Sequence, residues 1–197
     1  MYEALDADWA WTSRFSSLGF SLTFARARAE ADMLQAYGVN PEDAEVMTLT
    51  EATEEFGVEL PVIRVGRASD WAFAFEEFGR LGSDEDVLCK LAADTQAATV
   101  LCTGDGTSTF TFAESGVVSC ALDLVMPAWR RGRDPDRFND TLRSVGLNPN
   151  GSADAEVDPV VAGLRLLSVE FGIYLDGTAI DGPLLSGEAS GDDSWLE

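Results

Sequence analysis

The stretch Ala97–Leu122, AATVLCTGDGTSTFTFAESGVVSCAL, limits what this chain can fold into more than any other. It reads as three strands joined by two tight turns, Gly104-Asp105-Gly106 and Glu114-Ser115-Gly116, both rich in residues that tolerate positive φ. A register that sets Thr103 opposite Thr107 and Ala113 opposite Val117 puts Ala98, Val100, Cys102, Ser108, Phe110, Phe112, Val118, Cys120 and Leu122 on one face. Thr99, Leu101, Thr103, Thr107, Thr109, Thr111, Ser119 and Ala121 take the other. This alternation predicts an antiparallel meander with one face buried and the other wet or lightly covered.

The rest of the chain fits around that meander. Phe20–Phe24 alternates as a strand, and Ala29, Met33, Leu34 and Tyr37 make an apolar stripe on a helix over 27–37. Met47–Leu49 is a short extended piece, followed by a helix over 51–56 capped by Thr50. Strands over 61–65 and 70–75 follow, the second placing Trp71, Phe73 and Phe75 on one face and Ala72, Ala74 and Glu76 on the other. The small alanines leave room for a helix to lie close. Ser83 opens a helix to Ala93, with Asp86 in capping-box position. Asp84, Glu85 and Asp86 belong there as first-turn acids at the positive end of the dipole, and a metal site built from them is the sharper alternative. Asp134-Pro135 and Asp158-Pro159 each start a helix, to about Val145 and Phe171. The expected fold is a single α+β domain over residues 1–186, a mainly antiparallel sheet of about six strands with helices on one face. Residues 187–197, rich in Gly, Ser and acids, are expected to form a flexible tail.

Charge and missing residue types narrow the function. Thirty-five acidic residues face thirteen basic ones, a formal net charge of −22. Such a field repels nucleic acid and anionic lipid and draws a basic partner, although acidity also serves solubility alone. There is no histidine, which removes Ser-His-Asp, Cys-His and His-metal chemistry. Cys89, Cys102 and Cys120 have no CxxC spacing and read as small buried hydrophobes. No apolar run is long enough for a membrane span, and Met1–Trp11 lacks a signal-peptide layout, so a cytoplasmic protein is expected.

The residues singled out for binding are Trp71, Glu76, Trp129, Arg130, Arg131 and Arg133. Trp129-Arg130-Arg131-Gly132-Arg133 is the one basic cluster, able to hold an anion with Trp129 or Trp71 stacking on a ring. Its arginines also suit simple pairing with neighbouring acids. Glu76, on the alanine face under a helix, calls for a partner such as Arg64 or Arg80. No catalytic group, metal or cofactor is implied.

FSLTFARA before a helix, VGRASDWAFAFEEFG, TFTFAESGVV, RGRDPDRF, and the closing FG-x-YL and GPLL occur in an order that resembles an uncharacterised actinobacterial family catalogued as a domain of unknown function. The resemblance implies a shared α+β fold in small acidic cytoplasmic proteins and carries over no site residues. Three readings follow. The first is a non-enzymatic interaction protein, immunity- or regulator-like, that holds a basic partner. The second is a small-anion or nucleotide binder using the Trp129–Arg133 loop. The third is an assembly subunit that dimerises through the threonine face.

Overall fold

In the computed structural model, residues 9–57 and 61–189 are described. One antiparallel sheet spans the molecule. Its strands, in chain order, are β1 (Gly19–Arg26), β2 (Glu45–Met47), β3 (Val62–Ala68), β4 (Trp71–Glu77), β5 (Gln96–Thr103), β6 (Ser108–Glu114), β7 (Val117–Asp123), β8 (Arg130–Arg131) and β9 (Leu184–Glu188). They lie in the order β2-β9-β3-β4-β1-β5-β6-β7-β8. Among the described residues the sheet therefore has nine strands rather than about six. Short edge strands of two and three residues account for much of the difference, because they are too brief to show a period in sequence.

The meander forms as β5-β6-β7. Its first hairpin has the expected register, with Cys102 opposite Ser108, Val100 opposite Phe110 and Ala98 opposite Phe112. The second closes more tightly: Glu114 pairs with Val117 across a two-residue turn in which Ser115 and Gly116 both take positive φ, 54° and 73°. The pairing would then turn every β7 side chain to the wrong face, and a bulge beside Ala113 and Val118 restores it. Phe112 meets Cys120 and Phe110 meets Leu122. Val118 belongs to neither core cluster, contrary to the simple register.

Helices cover both faces, not one. The helices are α1 (Glu30–Ala36), α2 (Leu49–Phe56), α3 (Glu85–Leu91), α4 (Asn139–Ser144), α5 (Pro159–Phe171) and α6 (Gly177–Asp181). On the aromatic face, Phe20, Phe24, Trp71, Phe73, Phe75, Phe110 and Phe112 pack with Phe138, Leu142, Leu164 and Leu167 of the α4–α5 layer. On the threonine face, Ala25, Ala72, Ala74, Ala97 and Ala113 leave space for Met33 and Leu34 of α1 and Leu88 and Leu91 of α3. The wetness expected of that face is confined to its β6–β8 end, since Thr23 and Thr99 are fully buried and bonded to each other at 2.9 Å.

Capping explains the helix limits. Thr48, not Thr50, caps α2 in a reciprocal box with Glu51. Asp84, not Ser83, caps α3 by accepting from the Asp86 N–H. Asp158 caps α5 with Pro159 following, and Gly172 ends it at φ 64°, as the sequence indicates. The helix expected from Asp134 starts only at Asn139. The Arg133 and Asp134 N–H groups bond Val118 and Ser119 of β7, which holds the chain extended there. Gly187 and Glu188, expected in the tail, pair in β9 with Ile63 and Val62, and Ala189 is buried. Residues 190–197 lie outside the described residues. None of the helices of the described residues is long and apolar enough to cross a membrane.

Candidate functional site

The open end of the threonine face forms a groove of about 520 Å³, whose lining includes Leu101, Thr109, Thr111, Ala121, Asp123, Trp129, Arg130 and Arg131. Strand register builds it. Leu101 pairs with Thr109 and Thr109 with Asp123, while the Asp123 N–H bonds the Trp129 carbonyl at 3.2 Å. One rank therefore runs Leu101–Thr109–Asp123 across β5, β6 and β7 and ends at Trp129, the residue before β8. The next runs Thr111–Ala121–Arg131. Trp129 is 68% exposed, unusual for a ring of that size. Thr109, Thr111 and Asp123 escape a motif search because each is an ordinary strand residue. The period-two alternation, extended past Leu122 to Asp123, is the signal that locates them.

The basic cluster does not act as a unit. Arg130 stands opposite Leu122 and Arg131 opposite Ala121, so they turn to opposite faces. Arg130 bonds Asp136 at 2.5 and 3.0 Å and the carbonyls of Pro127 and Pro149. Arg131 pairs with Glu85 on the surface, and Arg133 is exposed. Glu114 is held below the ordinary carboxylate range, first by the Gln96 amide and then by Arg137 and Arg133. Trp71 is buried on the aromatic face, 5.4 Å from the Phe171 ring, and takes no part in the groove.

Glu76 occupies a different place. It shares the Ala72/Ala74 face, as expected, and is 1% exposed. Its partners are not arginines but the backbone N–H groups of Leu81 and Gly82, at 2.8 and 2.7 Å. A side chain at Gly82 would collide with the Thr23 and Ser21 hydroxyls and come within 2.5 Å of the Tyr37 hydroxyl, so only glycine lets this turn close over the carboxylate. Burial pushes the Glu76 carboxyl up to about 7, against the pull of those two N–H groups and of the Ser21 hydroxyl. Tyr37 is pushed well above the ordinary phenol range by its own burial and then by Glu76. Arg64, one of the two suggested partners, lies on the opposite face beside Phe75.

The raised carboxyl carries a stability signature. The folded chain holds the Glu76 proton more tightly than the unfolded chain, so folding takes up a proton between the ordinary value of 4.5 and about 7. Its contribution is fully present below pH 4.5 and is lost as pH rises through about 7. The loss is roughly 3 kcal/mol, from about 1.36 kcal/mol per pKa unit. Urea unfolding at intervals from pH 4.5 to 8 should show that decline in the wild type and a flatter profile in Glu76→Gln. Parallel profiles would contradict the assignment.

Among the described residues no group of three or more His, Cys, Asp or Glu side chains is placed to hold a metal. The three cysteines are unpaired, Cys89 half-buried and the other two buried, and burial pushes all three thiols up, Cys120 to about 12. A family model matches residues 2–166, most of the chain. The chain belongs to DUF6461, a family of unknown function. The DUF6461 match ends within α5, so α6 and β9 lie beyond it. No curated protein and no solved structure matches the chain.

Proposed function

We propose that the protein is a non-enzymatic, cytoplasmic interaction protein that holds a basic partner against its acidic surface. The observation that carries this reading is how the cations are used. Among the described residues, seven arginines sit in ion pairs with the chain's own carboxylates, and Arg64 is buried among carbonyls. A surplus of carboxylates stays exposed outside those ion pairs at both ends of the sheet: Glu45, Glu54 and Glu55 near β2, and Asp84, Asp86 and Asp134 near β8. Such a field speeds encounter with a cationic surface and rejects polyanions.

The test is binding of a synthetic hexa-arginine peptide in a sodium chloride series. Affinity should fall at least ~10-fold between roughly 50 and 300 mM salt. An affinity that does not change with salt would count against the reading. The exposed Trp129 keeps a second reading open, a small-anion or nucleotide site on the Trp129–Arg133 loop. That reading requires Arg130 and Arg131 to leave Asp136 and Glu85.

A further inference from the structure

We infer that the groove beside Trp129 is a slot for a guanidinium group, taking an arginine side chain of the basic partner. The inference rests on the basic-partner reading and adds to it where the partner is gripped and by which residue type.

The chain shows the chemistry elsewhere. Arg14 lies over the Trp11 ring at 5.9 Å and the Phe15 ring at 4.6 Å, and bonds Asp181 at 2.7 Å. An aromatic face and a carboxylate together hold that guanidinium. Trp129 and Asp123 are the same pair of groups in one rank of the groove; Arg130 and Arg131 line it too but pair with Asp136 and Glu85, so among the described residues no arginine is paired with Asp123. The Asp123 Oδ1 accepts the N–H groups of Val125 and Met126 at 2.8 and 2.7 Å, which fixes the carboxylate in place. Its Oδ2 has no partner among the described residues. The Thr109 and Thr111 hydroxyls likewise make no hydrogen bond within the described residues, and both can accept from N–H. Leu101 and Ala121 supply an apolar floor for the aliphatic stem of the incoming side chain.

Other ligands fit less well. A phosphate meets Asp123 and finds Arg131 tied to Glu85 and Arg130 tied to Asp136. A lysine ammonium satisfies Asp123 but is a compact point charge. A guanidinium is planar, stacks on an indole and keeps N–H groups in its plane for a carboxylate and two hydroxyls. Thr109 and Trp129 flank Asp123, each one strand spacing (~4.8 Å) from it, so one planar group can reach all three.

Fluorescence anisotropy with labelled hexa-arginine and hexa-lysine peptides at low salt tests the proposal on the wild type, Trp129→Ala and Asp123→Asn. Trp129 is exposed, and asparagine keeps the Oδ1 acceptor, so both variants should fold; circular dichroism checks this. Hexa-arginine should bind the wild type ~10-fold more tightly than hexa-lysine, and each variant should remove most of that difference. Equal binding of the two peptides to the wild type, or an arginine preference that survives both variants, overturns the slot while the acidic-surface reading stands. If neither peptide binds at low salt, the basic-partner reading fails and the slot fails with it.

Discussion

Replacing Arg64 by methionine should cost roughly 3–5 kcal/mol of folding stability. Arg64 is 2% exposed and reaches three carbonyls, those of Ile180, Met47 and Gly182, at 2.5, 2.8 and 2.9 Å. Burial lowers its pKa to about 10, yet at neutral pH it is still charged. One guanidinium thus ties β3 to β2 and to the segment that leads into β9. Methionine fills the space but leaves three carbonyls without their donor. Arg64→Lys should recover only part of the loss, because one ammonium cannot span three acceptors that a planar fork reaches. Urea unfolding measures the loss. Hydrogen exchange at Leu184–Glu188 shows where it falls, with protection there dropping before that of β5 and β6. A loss below about 1 kcal/mol would show that the carbonyls find other donors.

Phe112→Ala should be comparably severe, about 3–5 kcal/mol. The ring is fully buried, stacks on Phe171 at 5.3 Å and 15°, and meets Phe138 edge-on at 5.4 Å. Removing it opens a cavity between the sheet and the α4–α5 layer, which cannot close without moving both. Val118→Ala, two positions along β7 from Cys120, should cost about 1 kcal/mol or less, because the bulge takes Val118 out of the aromatic cluster. Chemical unfolding of the pair separates the observed register from the simpler one, in which Phe112 and Val118 are direct neighbours. Equal losses would favour the simpler register.

How much of this was legible in the chain depends on the range of the interactions. The meander was, because alternation is a local signal and the Gly104–Gly106 turn fixes the first register. The bulge was not, since nothing in GVVSC marks an extra residue until the side chains must return to one face. The placement of Phe73 and Phe75 against Ala72 and Ala74 was legible, and so was Glu76 beneath a covering layer. Its partners were not. Backbone N–H groups carry no sequence label, and the chain gives no sign that Leu81-Gly82 folds back over β4. The same holds for β9. Five residues at the C-terminal end of the described chain enter between β2 and β3, a long-range pairing that no local pattern encodes. At the groove, Trp129 and Arg131 were legible as an odd cluster. Thr109, Thr111 and Asp123 join them only through cross-strand register.

The most direct test of the account moves charge without changing shape. One triple variant, Asp84→Asn, Asp86→Asn and Asp134→Asn, strips the β8 end beside the groove. A second, Glu45→Gln, Glu54→Gln and Glu55→Gln, strips the β2 end. Each removes the same number of charges, so the overall field weakens equally and any difference reports position. The account predicts that hexa-arginine affinity drops several-fold more for the β8-end variant than for the β2-end variant. Equal losses, or a larger loss at β2, would contradict it.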